Sequence, residues 1–69
     1  MDKIKITING EQKEIAKNTT VEKLLSDLNV LDKTMAVAVN LQIVKKEDWS
    51  TRLLNDNDKI EALTFVGGG

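Results

Sequence analysis

The residues with the clearest chemical potential stand at the carboxyl end, where Gly67-Gly68-Gly69 follows an apolar stretch and finishes on a free α-carboxylate. Three glycines add nothing to a packed core, and ordering them costs entropy. What they provide is a thin arm without Cβ atoms, reaching roughly 10 Å at about 3.3–3.6 Å per residue. Such an arm can enter a narrow channel in another protein and present its carboxylate there. Taken alone, the same run also reads as a frayed terminus. Other chemistry finds little support. Ser26 and Ser50 have no His to activate them, since the chain contains neither His nor Cys, and so lacks the usual base, a thiolate and the usual zinc ligands. Asp56 and Asp58 lack the spacing and closing Glu of a calcium loop, and read as a solvated turn. No metal set is expected.

The chain has 69 residues, enough for one domain. A chain of this size buries only about 60% of its unfolded surface, which leaves little room for an internal catalytic pocket. A net charge of −1 argues against a nucleic-acid grip. No apolar run is long enough to span a membrane, and the first residues carry no signal-peptide pattern. Without cysteines for a disulfide framework, a cytoplasmic setting is expected.

The arm needs a rigid body behind it. Ile4, Ile6 and Ile8 alternate with Lys and Thr, which predicts a strand. Asn9-Gly10 predicts a tight mirror-image hairpin turn into a second strand over 12–16, weakly patterned, anchored by Ile15 and suited to a sheet edge. Thr19 with Glu22 three residues later predicts a capping box. Val21, Leu24, Leu25 and Leu28 then share one helical face, and Asn29 with Val30 predicts a Schellman ending. The apolar run 35–39 reads as a central buried strand that exits at Asn40. Leu41, Ile43 and Val44 suggest a short further strand. A charged turn then leads to Trp49, which reads as a packing anchor. Asn55-Asp56-Asn57-Asp58 is a turn, and 59–66 a last strand. The order β-β-α-β-(β)-β is an α+β layer pair, a mixed sheet with one main helix across one face. The domain boundaries are a body over 1–66 and a flexible arm over 67–69. Alternation in the last strand turns Leu63 and Phe65 away from the helix, as an apolar interface beside the arm. A β-bulge that turned one of them inward would remove that interface.

Several segments together resemble a known family over essentially the whole chain. They are Thr20-Val21 and Leu24-Leu25 opening the helix, Ala36-Val37-Ala38-Val39-Asn40 in the central strand, and Ile43-Val44 before the charged turn and Trp49. Asn57-Asp58 before Ile60 and Phe65-Val66-Gly67-Gly68-Gly69 complete the set. The pattern is similar to the β-grasp, ubiquitin-like sulfur carriers, most closely those of thiamine biosynthesis, the ThiS family. Two turns depart from it. Lys45 stands where many members have Pro, and Asn57-Asp58 where many have Asp-Gly. The absence of any Pro separates the chain from the molybdopterin synthase small subunits.

The resemblance implies a protein that is not itself an enzyme and holds no cofactor. A ThiF-type adenylating enzyme would use ATP to activate the Gly69 carboxylate. A sulfur donor such as a cysteine desulfurase would convert it to a thiocarboxylate, and the thiazole synthase ThiG would take the sulfur. Gly67 and Gly68 would form the arm, while Leu63 and Phe65 would meet both enzymes. The alternatives are a carrier for molybdopterin, cysteine or tRNA thiolation, a ubiquitin-like modifier, and a plain interaction domain whose glycines are incidental.

Overall fold

In the computed structural model, which describes residues 2–65, the opening alternation becomes β1 (Lys3–Ile8), with Ile4, Ile6 and Ile8 buried. Asn9 and Gly10 both take positive φ, 49° and 85°, and their two-residue turn sets Ile8 opposite Glu11. A turn of this hand matches the twist of the strands it joins. β2 (Glu11–Ala16) returns antiparallel along the sheet edge, and Ile15, opposite Ile4, is packed against the core.

The helix α1 (Val21–Asp27) buries Val21, Leu24 and Leu25. It ends as the sequence predicts. Asn29 sits at φ 61°, its N–H donates to the Ser26 carbonyl, and the Val30 N–H donates to the Leu25 carbonyl, the Schellman pattern. Its start corrects the prediction. The cap is Thr20, whose Oγ1 accepts the Lys23 N–H at 3.1 Å, whereas Thr19 donates its hydroxyl to the Ala16 carbonyl at 2.6 Å. Three residues after Thr20 stands Lys23, so no capping box is available. The reason is non-local. The N–H groups of Val21 and Glu22 donate to the carbonyls of Arg52 and Trp49 at 2.9 and 3.0 Å. Trp49 and Arg52 therefore supply the acceptors that a helix start otherwise lacks.

After a 3₁₀ turn at Leu31–Lys33, β3 (Thr34–Val39) carries Val37 and Val39 into the core, and β4 (Gln42–Val44) pairs back on it. A second 3₁₀ turn at Lys46–Asp48 delivers Trp49 to the core, where its indole N–H donates to the Val44 carbonyl at 3.0 Å. Trp49 is thus the packing anchor expected of it. The last strand described, β5 (Lys59–Thr64), enters the middle of the sheet, in the order β2-β1-β5-β3-β4, parallel to β1 and antiparallel to β3. Ile60 joins the residues of α1, β1 and β3 in one hydrophobic cluster. This mixed sheet with a helix on one face is the expected β-grasp. No helix among the described residues is long and apolar enough to cross a membrane.

The turn over 55–58 is a second correction, because it is not simply solvated. Asp58 is only 6% exposed, and its carboxylate accepts from Asn40 Nδ2 at 2.9 Å and the Asn55 N–H at 2.8 Å. Asp56 accepts the Lys5 N–H at 2.8 Å. These carboxylates fasten the turn to β1 and to the β3–β4 hairpin. Asp58→Ala removes a buried carboxylate that accepts two hydrogen bonds, and is expected to cost about 1–3 kcal/mol in a urea unfolding curve. A loss below a few tenths would contradict this role.

Candidate functional site

The strand that leads to the glycine arm is secured up to its last described residue. On its β3 side the Phe65 N–H donates to the Lys33 carbonyl at 2.6 Å. On its other side β1 pairs with it only through Thr7 and Ile8. Beyond that point the Asn9 side chain takes the place of a strand residue. Its Oδ1 accepts the Ala62 N–H at 2.9 Å and its Nδ2 donates to the Ala62 carbonyl at 3.2 Å. Asn9 therefore serves both the hairpin turn and the backbone of β5. Gly67, Gly68 and Gly69, the predicted arm, lie outside the described residues, as does Val66.

Leu63 and Phe65 are 60% and 59% exposed, as the alternation predicts. Ile60 on the same strand is fully buried. A register irregularity does occur, but it lies in β3 between Thr34 and Ala36. It leaves β5 regular and its outward residues outward. Met35, the residue at the irregularity, is exposed instead.

Residues opposite each other in neighbouring strands share a face. Leu63 opposes Ala36, and Ala38 opposes Ile43. These four line a shallow depression of about 340 Å³ on the sheet face away from α1. The β1–β2 half of that face carries Lys5 opposite Glu14 and Thr7 opposite Gln12. The β5–β3–β4 half of the open face is thus apolar around Leu63, Ala36, Ala38 and Ile43, with the exposed Glu61, opposite Ala38, at the same depression, while the other half is polar. Among the described residues, five of the six exposed large apolar side chains belong to β3, β5 or the segments adjoining them, namely Met35, Leu41, Ile43, Leu63 and Phe65. Exposed apolar side chains gathered on one part of a surface mark a candidate interaction surface.

The sequence pattern places Leu41 in a strand, and the structure corrects this. Val39 opposes Gln42, so Asn40 and Leu41 are the two central residues of a hairpin turn, at φ 52° and 70°. For a leucine that backbone costs roughly 1–2 kcal/mol. The Asn40 side chain holds the turn, accepting the Lys59 N–H at 2.9 Å and donating to Asp58. The signal available in the sequence was Asn40 itself, which repeats the use of Asn9 at a turn. No Gly follows it to advertise the conformation.

Comparison with known proteins bears on what this body presents. The ThiS family model matches residues 6–69. Escherichia coli sulfur carrier protein ThiS is 32% identical over 66 residues, covering 96% of this chain and 100% of that protein. A thiazole synthase of Paramagnetospirillum magneticum is 42% identical over 66 residues, again 96% of this chain but only 20% of the synthase. The chain therefore spans about a fifth of that relative's length. The crystal structure of the thiamine biosynthesis protein ThiS from Geobacter metallireducens superposes with a TM-score of 0.78 at 30% identity, covering 96% of this chain and all of that one. The family model, the carrier matched end to end and the shared fold agree, and the chain belongs to the ThiS family of sulfur carriers.

Proposed function

We propose that this chain carries sulfur for the thiazole ring of thiamine as a thiocarboxylate on Gly69. The observation that supports this most directly is a glycine run following a strand whose backbone is held on both sides and whose outward residues are apolar. In the first step a Gly69 carboxylate oxygen attacks the α-phosphorus of ATP on a ThiF-type enzyme. A P–O bond forms to the acyl oxygen and pyrophosphate leaves. In the second, the terminal sulfur of a donor persulfide, such as that of a cysteine desulfurase, attacks the acyl carbon. The C–S bond forms, and the C–O bond to AMP breaks with its electron pair going to AMP. A partner thiol then attacks the donor-side sulfur of the resulting acyl disulfide, so that the S–S bond breaks, the thiocarboxylate leaves with the electron pair, and the partner and donor thiols end as a disulfide. The thiocarboxylate then serves the thiazole synthase. A carboxylate is a poor electrophile and the adenylate supplies the leaving group. All acid–base groups belong to the partners, which suits a chain without His or Cys. The carrier needs no bound cofactor, since ATP is consumed on the activating enzyme, and the setting is the cytoplasm, where ATP is at hand. Support for the receiving partner comes from the thiazole synthase that contains a stretch similar to this chain.

The test is incubation with the activating enzyme, ATP and a sulfur donor, followed by mass spectrometry of the intact protein. The expected product is oxygen-to-sulfur exchange at the C-terminus. An isopeptide conjugate, or an unchanged carboxylate, would refute the reading. Leu63 and Phe65 are the contacts proposed for both enzymes. Phe65→Ala is expected to weaken binding by ~2 kcal/mol, as for a buried aromatic anchor, with the melting temperature little changed. Unfolding of the variant would place Phe65 in the core instead.

A further inference from the structure

Leu41 combines two features that folding disfavours. It is 82% exposed, and its φ of 70° lies in the left-handed region that leucine avoids. Asn and Gly enter that region readily, so a residue chosen for the turn alone would be one of those. Ile43, two residues on, is 74% exposed in the short edge strand β4. Strained residues of this kind cluster at active sites, ligand clamps and switch regions. The hairpin lies at the far end of the apolar half-sheet from the arm. Val39 opposes Ile60, and five residue steps along β5 and its continuation lead from Ile60 to Phe65, so Leu41 stands about 20 Å from the arm's root. One partner can cover both ends, since a standard interface buries about 800 Å² on each side.

The length of the arm limits who that partner is. Four residues lie between Phe65 and the Gly69 carboxylate, a reach of at most about 14 Å. An enzyme that acts on that carboxylate must rest its body against the end of β5, beside the apolar half-sheet. Among the enzymes of the proposed pathway, a thiazole synthase, that of Paramagnetospirillum magneticum, includes a stretch similar to this chain within its own polypeptide. We propose that Leu41 and Ile43 form a second docking anchor, remote from the arm, for the thiazole synthase. This rests on the carrier reading above.

The experiment uses the full chain, Leu41→Asn and Ile43→Thr, with the thiazole synthase of the same host. Three quantities are read: melting temperature, Kd for the synthase by calorimetry, and the rate of thiocarboxylate formation with the activating enzyme, ATP and sulfur donor. For Leu41→Asn the melting temperature is expected to hold or rise, because Asn suits the turn. The Kd is expected to weaken roughly tenfold or more, as for loss of a hot-spot side chain, with thiocarboxylate formation near the native rate. Ile43→Thr keeps a β-branched residue in β4 and is expected to weaken Kd in the same direction. An unchanged Kd in both variants would overturn the anchor. So would a Kd loss matched by a fall in melting temperature, or a loss confined to the activating step. A native chain that sediments as a dimer, and a Leu41→Asn chain that does not, would assign the hairpin to a second copy and overturn it as well. If the native chain binds the synthase but forms no thiocarboxylate, the carrier reading fails while the anchor stands.

Discussion

Deleting Gly69 is expected to lower the rate of thiocarboxylate formation about 100-fold or more, because errors of ~1 Å at a reacting atom already have effects of that order. The deletion shortens the arm by about 3.5 Å and moves the carboxylate to Gly68. Adding one residue after Gly69 should have a similar effect, displacing the carboxylate in the other direction. Gly68→Val should block transfer by a separate route, since a β-branched side chain would jam a channel sized for bare backbone. None of these changes touches the residues that form the core, so the unfolding curve should stay where it is. Thiocarboxylate forming on the shortened, extended and Gly68→Val chains at the native rate would sink the carrier-arm mechanism.

The largest effect on stability is expected from Leu25→Ala. Leu25 has no exposed surface and sits in the cluster that joins α1 to β1, β3 and β5. Truncating a buried leucine costs about 2–5 kcal/mol. A domain of this size has only ~5 kcal/mol or so to lose. Much of the variant should therefore be unfolded at 25 °C, and circular dichroism against urea would show it. A midpoint within experimental error of the native one would contradict the packing described for α1.

The parts of the fold that could be read in advance are those set by neighbours in sequence. Ile4, Ile6 and Ile8 declare a strand by period two. Asn9-Gly10 declares its turn, and Asn29 with Val30 declares the helix end, because each depends on a few adjacent φ angles. The exposure of Leu63 and Phe65 followed from alternation alone. The misread features depend on distant partners. Thr20 rather than Thr19 caps α1 because Arg52 and Trp49 supply carbonyls from some 30 residues away. Asp58 is buried because Asn40 reaches it across the hairpin, and nothing in a run of turn-forming residues announces that. Leu41 was hidden for the opposite reason. Its residue type argues against the backbone it adopts.

The place of β5 also bears on how the molecule is made. β5 is the last strand described and the middle strand of five, between β1, roughly fifty residues earlier in the chain, and β3. While the chain is being synthesised, the β1–β2 and β3–β4 hairpins can form as they emerge, but neither has the strand that joins them. Pairings so far apart in sequence are slow to form and leave hydrophobic surface uncovered in the meantime. A chain interrupted on the ribosome before residue 59 lacks both the centre of its sheet and the glycine arm. The glycine run is thereby restricted to molecules whose synthesis has passed the strand that closes the sheet.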